Sequence, residues 1–197
     1  MTPADLSKSG WVLCADASRG SFVAGGCTYS SAMVSSVLVR LPEVHNYELP
    51  DITERDRSYA AAEMTAFIMA WLAALPCLVV NRSALTRLVE PQWRLAKWVV
   101  EAERAGIPTI EAIETASSGT EAARRLRWMP VLRGRALDAW RAEHRDYAKN
   151  IADRTGLDLF ALGFEVDAPG RLAAVDQFPP ILEEPLLSAL SAVLVPP

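Results

Sequence analysis

The stretch that most constrains this chain covers residues 59–81, YAAAEMTAFIMAWLAALPCLVVN. Its large apolar side chains recur at helical spacing, at Met64, Phe67, Ile68, Trp71, Leu72 and Leu75. This periodicity predicts a helix with one apolar face. The opposite side carries Ala62, Ala66, Ala70, Ala73 and Ala74. Because alanine lets a neighbouring element approach closely, we expect the helix to be covered on both sides.

The end of this stretch predicts a strand. Pro76 ends the helix, because the residue before a proline is pushed out of the α region. Leu78–Val80 then has the continuous apolar character of a buried strand. A transmembrane span is the alternative, but the run falls short of the ~20 apolar residues that a bilayer needs. Glu63 also interrupts it, so we expect no membrane partner.

Composition indicates a folded α/β protein of one large or two small domains. Of its 197 residues, 51% are hydrophobic and 22% charged. The net charge of −4 gives no general case for a nucleic-acid partner. Cys14, Cys27 and Cys77 lack CxxC spacing, which favours free thiols in a reducing compartment. The N-terminus has no apolar signal region, and we therefore expect a cytoplasmic protein.

Residues 1–116 have the pattern of an α/β domain. We predict a strand at 11–15, a hairpin around Gly25 and Gly26, and a strand from Ser36. An amphipathic helix is expected at 92–105 and an edge strand at 107–110. The pattern of that helix assigns Glu101 to its polar side and these residues to its apolar side: Trp93, Ala96, Val99 and Val100.

Residues 121–197 have the pattern of a smaller α+β region. The small polar residues 117–120 are the best linker candidate. The following elements are then expected: a short helix at 121–128, a charged helix at 138–155, a hairpin of strands at 157–166 and 171–175, and a last helix from about residue 183.

Two segments together resemble ATP-grasp carboxylate–amine ligases, in particular ribosomal-protein glutamate ligases and microviridin-type peptide ligases. The first runs through residues 78–82, 92–97 and 102–109, the last being AERAGIPT, and is similar to the end of a pre-ATP-grasp domain. The second, at 151–180, is similar to the C-terminal metal-binding hairpin of an ATP-grasp domain. The resemblance implies a pre-ATP-grasp-like N-terminal domain, followed by a reduced α+β remnant of the ATP-grasp C-terminal lobe.

The chain departs from this family at the implied metal ligands. The family holds Mg²⁺ through Asp, Glu and Asn, and the corresponding positions here are Gly163, Asp176 and Phe178. The resemblance therefore implies an inactive relative with no catalytic residue, no cofactor and no metal. Such a pseudoenzyme would be an accessory subunit, either as a homodimer or with a protein partner such as a full-length ATP-grasp ligase.

The alternative is an ATP-dependent ligase that acts through an acyl phosphate. About forty residues separate Thr109 from 151, too few for the family's lysine-bearing strands. ATP would then need a phosphate clamp rebuilt from Arg133, Arg135 or Lys149. Mg²⁺ would need the two residual carboxylates of the hairpin, Glu165 and Asp176, whose other interpretation is a solvated strand edge.

The residues most suited to contact a protein partner come from the segment after the linker. They are Trp128, Arg124, Arg127, Arg133 and Arg135. Trp128 falls between predicted elements, where an exposed aromatic contact is expected. The arginines could bind phosphate or an acidic surface, or form the solvated side of two helices.

The remaining candidate groups have simpler interpretations. His45 and His144 have no partner at metal-ligand spacing, so we expect surface or capping roles for both. Cys77 lies within the most apolar stretch, where we expect a buried structural thiol rather than a nucleophile.

Overall fold

The computed structural model describes residues 1–16, 19–82, 88–89, 93–115, 125–167, 170–181 and 184–195. The protein is of mixed α/β class. The helices are α1 (Arg57–Ala74), α2 (Leu95–Arg104), α3 (Glu143–Thr155) and α4 (Leu186–Leu194). The strands are β1 (Ser21–Ala24), β2 (Cys27–Ser30), β3 (Ser36–Leu38), β4 (Leu78–Val80), β5 (Thr109–Thr115), β6 (Leu126–Leu132), β7 (Arg135–Ala136), β8 (Leu159–Glu165) and β9 (Leu172–Asp176). No described helix is long and apolar enough to cross a membrane.

The chain forms two compact units. One comprises Met1–Glu90 with Leu194–Pro197, and the other comprises Pro91–Val193. The division therefore lies well before the linker that we expected at 117–120, which is outside the described residues. The physical reason is strand pairing, because β5 pairs in parallel with β9, with Thr109 opposite Leu172. Strand β5 thus belongs to the sheet of the second unit.

In the first unit, α1 connects the parallel pair β3 and β4. The predicted apolar face is confirmed, since Ile68, Trp71 and Leu72 are buried. Burial on the opposite side was a wrong prediction, because four of the five alanines there are exposed, namely Ala62, Ala66, Ala70 and Ala73. Trp71 fixes the buried face, since its indole N–H donates to Ser31 Oγ at 2.8 Å. The Trp11 and Trp71 rings also pack edge to face, with their centres 6.0 Å apart.

The predicted hairpin is confirmed as β1 and β2, and its turn is anchored by Asp5. Gly25 and Gly26 both have positive φ, at 58° and 76°, which a two-residue hairpin turn of this hand requires. The Asp5 carboxylate accepts the N–H groups of Gly25 at 3.1 Å and Gly26 at 2.9 Å. It also accepts the N–H of Thr2 at 2.8 Å. The strand predicted at 11–15 is absent, and only one bridge between Val12 and Ser21 is formed.

Arg82 closes the C-terminal end of α1. Its guanidinium donates to the carbonyl of Leu72 at 2.8 Å and to that of Cys77 at 3.2 Å. These bonds satisfy carbonyl groups that the end of a helix and the following turn leave without partners. Cys77 itself is half-buried, and all three cysteines of the chain are free.

The second unit contains a five-stranded sheet in the order β5-β9-β8-β6-β7. The predicted hairpin is confirmed as β8 and β9, and β8 is buried along almost its whole length. The predicted helix at 121–128 is wrong from Leu126 onward, where β6 pairs with β8. Pro130 is tolerated inside β6 because β7 pairs only with Val131 and Leu132. The nitrogen of Pro130, which carries no hydrogen, therefore breaks no ladder hydrogen bond to β7.

Helix α2 buries a different face from the predicted one. Trp98 and Ala102 are fully buried, Glu101 is 7% exposed, and the supposedly buried Val100 is 42% exposed. Glu101 tolerates burial because its carboxylate accepts from Arg104 at 2.9 Å and from Arg154 of α3 at 3.2 Å. The pair with Arg154 therefore joins α2 to α3. Burial is the largest single influence and raises the pKa of Glu101, but Arg104, Arg154 and Lys97 together hold this pKa below its usual value.

We predict that Asp5→Ala lowers the free energy of unfolding by about 1–2 kcal/mol, because hydrogen bonds to a carboxylate are lost. Hydrogen bonds, first from Thr2 and then from the glycine turn, lower the pKa of Asp5 to about 2. Its stabilising effect is therefore present above pH 4 and is lost as the pH falls towards 2. Urea denaturation between pH 7 and pH 2 measures this. Glu63→Gln, at an exposed helix position, is the control, and equal pH profiles for the Asp5 variant and the wild type would contradict the prediction.

Candidate functional site

The Trp128 indole lies directly over Gly163 in the second unit. The two residues are paired across β6 and β8. A Cβ atom added at Gly163 would lie 3.1 Å from the Trp128 ring and 3.3 Å from Ala174 Cβ. Trp128 is thus half-buried on a strand, not exposed between elements as we expected. The space over Gly163, where the resemblance implies the first metal ligand, is occupied by the indole.

The two residual carboxylates of the hairpin lie apart. Asp176 is paired with Ala161, four residues before Glu165 along β8, which corresponds to about 13 Å of strand. Asp176 Oδ1 accepts the N–H of Phe178 at 2.8 Å and so caps the end of β9. No group of three or more His, Cys, Asp or Glu residues that could hold a metal ion occurs within the described part of the chain.

Arg127 is engaged in contacts inside the second unit. Its guanidinium is 3.2 Å from the Asp138 carboxylate and 4.1 Å from the centre of the Trp140 ring. Arg127 and Trp128 are consecutive residues of β6, so their side chains point to opposite faces of the sheet. They therefore do not form one contact surface. The predicted partner residue Arg124 lies outside the described residues.

Arg133 and Arg135 lie at the opposite end of β6 from Trp128. Arg133 and Gly134 form the turn into β7, with positive φ values of 50° and 73°. This pair of dihedral signs is that of a type I′ turn, where Gly is favoured at the second position. A Cβ atom at Gly134 would lie 3.8 Å from Lys149 Cα and 3.6 Å from Ala152 Cβ. The turn is therefore pressed onto α3, which brings Lys149 beside the two arginines.

These three cations line one open concavity of about 480 Å³, together with Asp153 and Asp158. Arg133, Arg135 and Lys149 form no ion pair with any residue in the described segments of the chain. The backbone N–H of Arg133 is engaged by the Asp158 carbonyl. We call this site the basic concavity. The basic concavity thus contains Arg133 and Arg135, which we predicted to contact a partner. It also contains Lys149, which we named only as part of a possible phosphate clamp.

His144 is fully buried, which corrects the expected surface role. Its ring stacks on Phe164 with centres 4.5 Å apart, and the edge of Trp140 packs against it at the same distance. Neither ring nitrogen has a hydrogen-bond partner among the residues that the structure describes. Burial is the largest cause that lowers the pKa of His144, opposed by Glu143 and assisted by nearby arginines. The i, i+4, i+7 spacing of His144, Ala148 and Ile151 is the signal that could have identified it as buried.

His45, the other histidine, is partly exposed and lies next to a short 3₁₀ turn. His45 stacks on Tyr47 with ring centres 5.1 Å apart, and its Nδ1 is 3.6 Å from a Glu43 oxygen. The backbone N–H of His45 donates to the Glu48 carboxylate at 2.8 Å, at the start of a short 3₁₀ turn. His45 therefore lies at the start of a helical turn, in agreement with its expected capping position.

The comparisons with known proteins assign no family. No protein-family model matches the chain, and no curated protein is significantly similar to it.

We predict that His144→Phe raises the free energy of unfolding at pH 7 by about 1–2 kcal/mol, because two unsatisfied buried nitrogens are removed. In the wild type, burial holds the folded pKa of His144 below its unfolded pKa of about 6.5. The fold therefore loses stability as the pH falls from about 6.5 through the folded pKa, because the unfolded chain binds a proton that the folded chain does not. The variant should therefore lose less stability between pH 7 and pH 5, as measured by urea denaturation. His45→Phe is the control, and an unchanged pH profile in His144→Phe would refute the prediction.

We predict that Gly163→Val destabilises the second unit by about 2 kcal/mol, because the added side chain collides with the Trp128 ring. Gly163→Val should cost less stability in a Trp128→Ala background than in the wild type, because the ring that the valine would meet is then absent. A double-mutant cycle of urea midpoints measures this coupling. Strictly additive effects would show that the indole does not occupy the space over Gly163.

Proposed function

We propose that this chain is a catalytically inactive relative of the ATP-grasp carboxylate–amine ligases. In this proposal it has a pre-ATP-grasp-like N-terminal domain and a reduced remnant of the ATP-grasp C-terminal lobe. It acts as an accessory binding subunit of a biosynthetic enzyme complex, either with a full-length ATP-grasp ligase or related enzyme or as a homodimer.

The order of elements supports this proposal. A helix connects parallel strands in the first unit, and an antiparallel hairpin follows a charged helix in the second. The hairpin was expected from the resemblance, whereas the helices were expected from the residue pattern and the parallel pairing was not predicted. They are also common in unrelated α/β proteins, so the order of elements alone carries little weight.

The observation that carries the proposal is the position of Trp128. The resemblance implies that Mg²⁺ would be held next to residue 163, and the indole fills the space above that glycine. Asp176, at the second implied ligand position, serves as a local cap for the N–H of Phe178. A metal at this hairpin would therefore require the indole to move and the cap to open.

A second candidate function has one favourable observation. An ATP-dependent ligase would need a rebuilt phosphate clamp, and Arg133, Arg135 and Lys149 do converge on the basic concavity. Two features weigh against it. The C-terminal end of α3, with its partial negative charge, faces the same concavity as Asp153 and Asp158. The residual carboxylates also lie apart along β8.

Calorimetric titration with ATP and Mg²⁺ tests the proposal. We expect no binding tighter than about 1 mM, because the described residues form neither a metal site nor an enclosed phosphate site. A full-length ATP-grasp ligase titrated in the same buffer is the positive control. Micromolar affinity that is lost in a variant combining Arg133→Asn, Arg135→Thr and Lys149→Ala would overturn the proposal in favour of the ligase.

A further inference from the structure

The basic concavity brings three cations of the second unit together. Its cations extend from a tight turn and from one side of α3, both of which are regular elements. The other arginines in this unit with a described ion pair are matched by Asp138, Glu143 or Glu101. The chain as a whole carries a net charge of −4, whereas the three cations of the concavity outnumber its two aspartates. A local charge of this kind attracts an anionic group.

The shape and polarity of the concavity decide which anionic group fits. A compact phosphate is best held by free backbone N–H groups or a helix N-terminus. Here the N–H of Arg133 is engaged by Asp158, and the nearby end of α3 is its C-terminus. The site is therefore poorly suited to phosphate.

An extended peptide matches the mixed polarity better. Its carboxylate side chains can pair with Arg133, Arg135 and Lys149, since guanidinium groups bind carboxylates in a bidentate manner. Its backbone N–H groups can meanwhile donate towards the carboxylate of Asp153. The open form of the concavity, about 480 Å³, accepts a chain that passes across it.

We infer that the basic concavity binds an acidic, extended peptide segment of the protein partner. This inference rests on the proposed function, and it names the chemistry by which the accessory subunit recognises its partner. Added salt weakens such an interaction strongly, because the three cations are exposed and ions screen their charge.

Fluorescence anisotropy with labelled peptides tests the inference. The probe is a dodecapeptide of alternating aspartate and serine, and the matched control peptide replaces each aspartate with asparagine. We expect binding of the acidic peptide at 50 mM salt, at least tenfold weaker binding at 200 mM salt, and no binding of the control peptide. No detectable binding of the acidic peptide would overturn the inference.

Two charge-matched triple variants locate the site. The first combines Arg133→Asn, which suits the positive φ of the turn, with Arg135→Thr and Lys149→Ala. The second replaces three exposed arginines elsewhere in the same unit by glutamine, namely Arg125, Arg145 and Arg171. We expect at least tenfold weaker peptide binding in the first variant and less than a twofold change in the second. Equal losses in both would overturn the inference, since they would indicate attraction without a site.

Two further measurements keep the result interpretable. Lys149→Glu, at an exposed helix position, should weaken peptide binding at least threefold even if the triple variant folds poorly. Inorganic phosphate and ATP should not displace the peptide at micromolar concentration, and displacement would overturn the inference in favour of a phosphate site. Tight binding of ATP with Mg²⁺ would overturn the proposed function itself, whereas loss of peptide binding alone would leave that proposal standing.

Discussion

The burial of β8 on both faces is the constraint on which the second unit depends. Every residue from Leu159 to Phe164 is buried, so each face of the strand must be covered by other parts of the unit. Phe164 is covered by His144 and Trp140, which precede or belong to the first turn of α3. Gly163, on the other face, leaves room for the Trp128 ring. A strand buried in this way cannot present polar ligands without losing its cover.

The charges of the second unit fall into two classes, which differ in what they do for the fold. Glu101, Arg104 and Arg154 are joined by hydrogen bonds and fasten α2 to α3. The cations of the basic concavity have no such partner among the described residues and so contribute little to stability by pairing. Exposed charges that the fold does not use are available for recognition, which is why the proposed partner site lies there.

Sequence reasoning predicted elements better than it predicted their surroundings. Periodicity gave α1 and its apolar face, and the Gly25-Gly26 pair gave the first hairpin. The strand β6 was missed because its first residues were assigned to a helix at 121–128. Pro130 is acceptable within this strand only because β7 is short. The buried face of α2 was missed because a glutamate was taken as exposed, whereas its partner Arg154 lies about fifty residues away in sequence.

The sequence by itself determined part of the local structure: the end of α1 before Pro76, the positive φ of Gly25 and Gly26, and the departure from the ATP-grasp ligand pattern at Gly163 and Phe178. Only the tertiary structure decided which side chains share a site. It separated Glu165 from Asp176 through the register of the hairpin, and it brought Lys149 beside Arg133 and Arg135 through the packing of a turn on α3. The physical reason is that dihedral preferences and periodicity act within a few residues, whereas register and packing depend on contacts between distant segments.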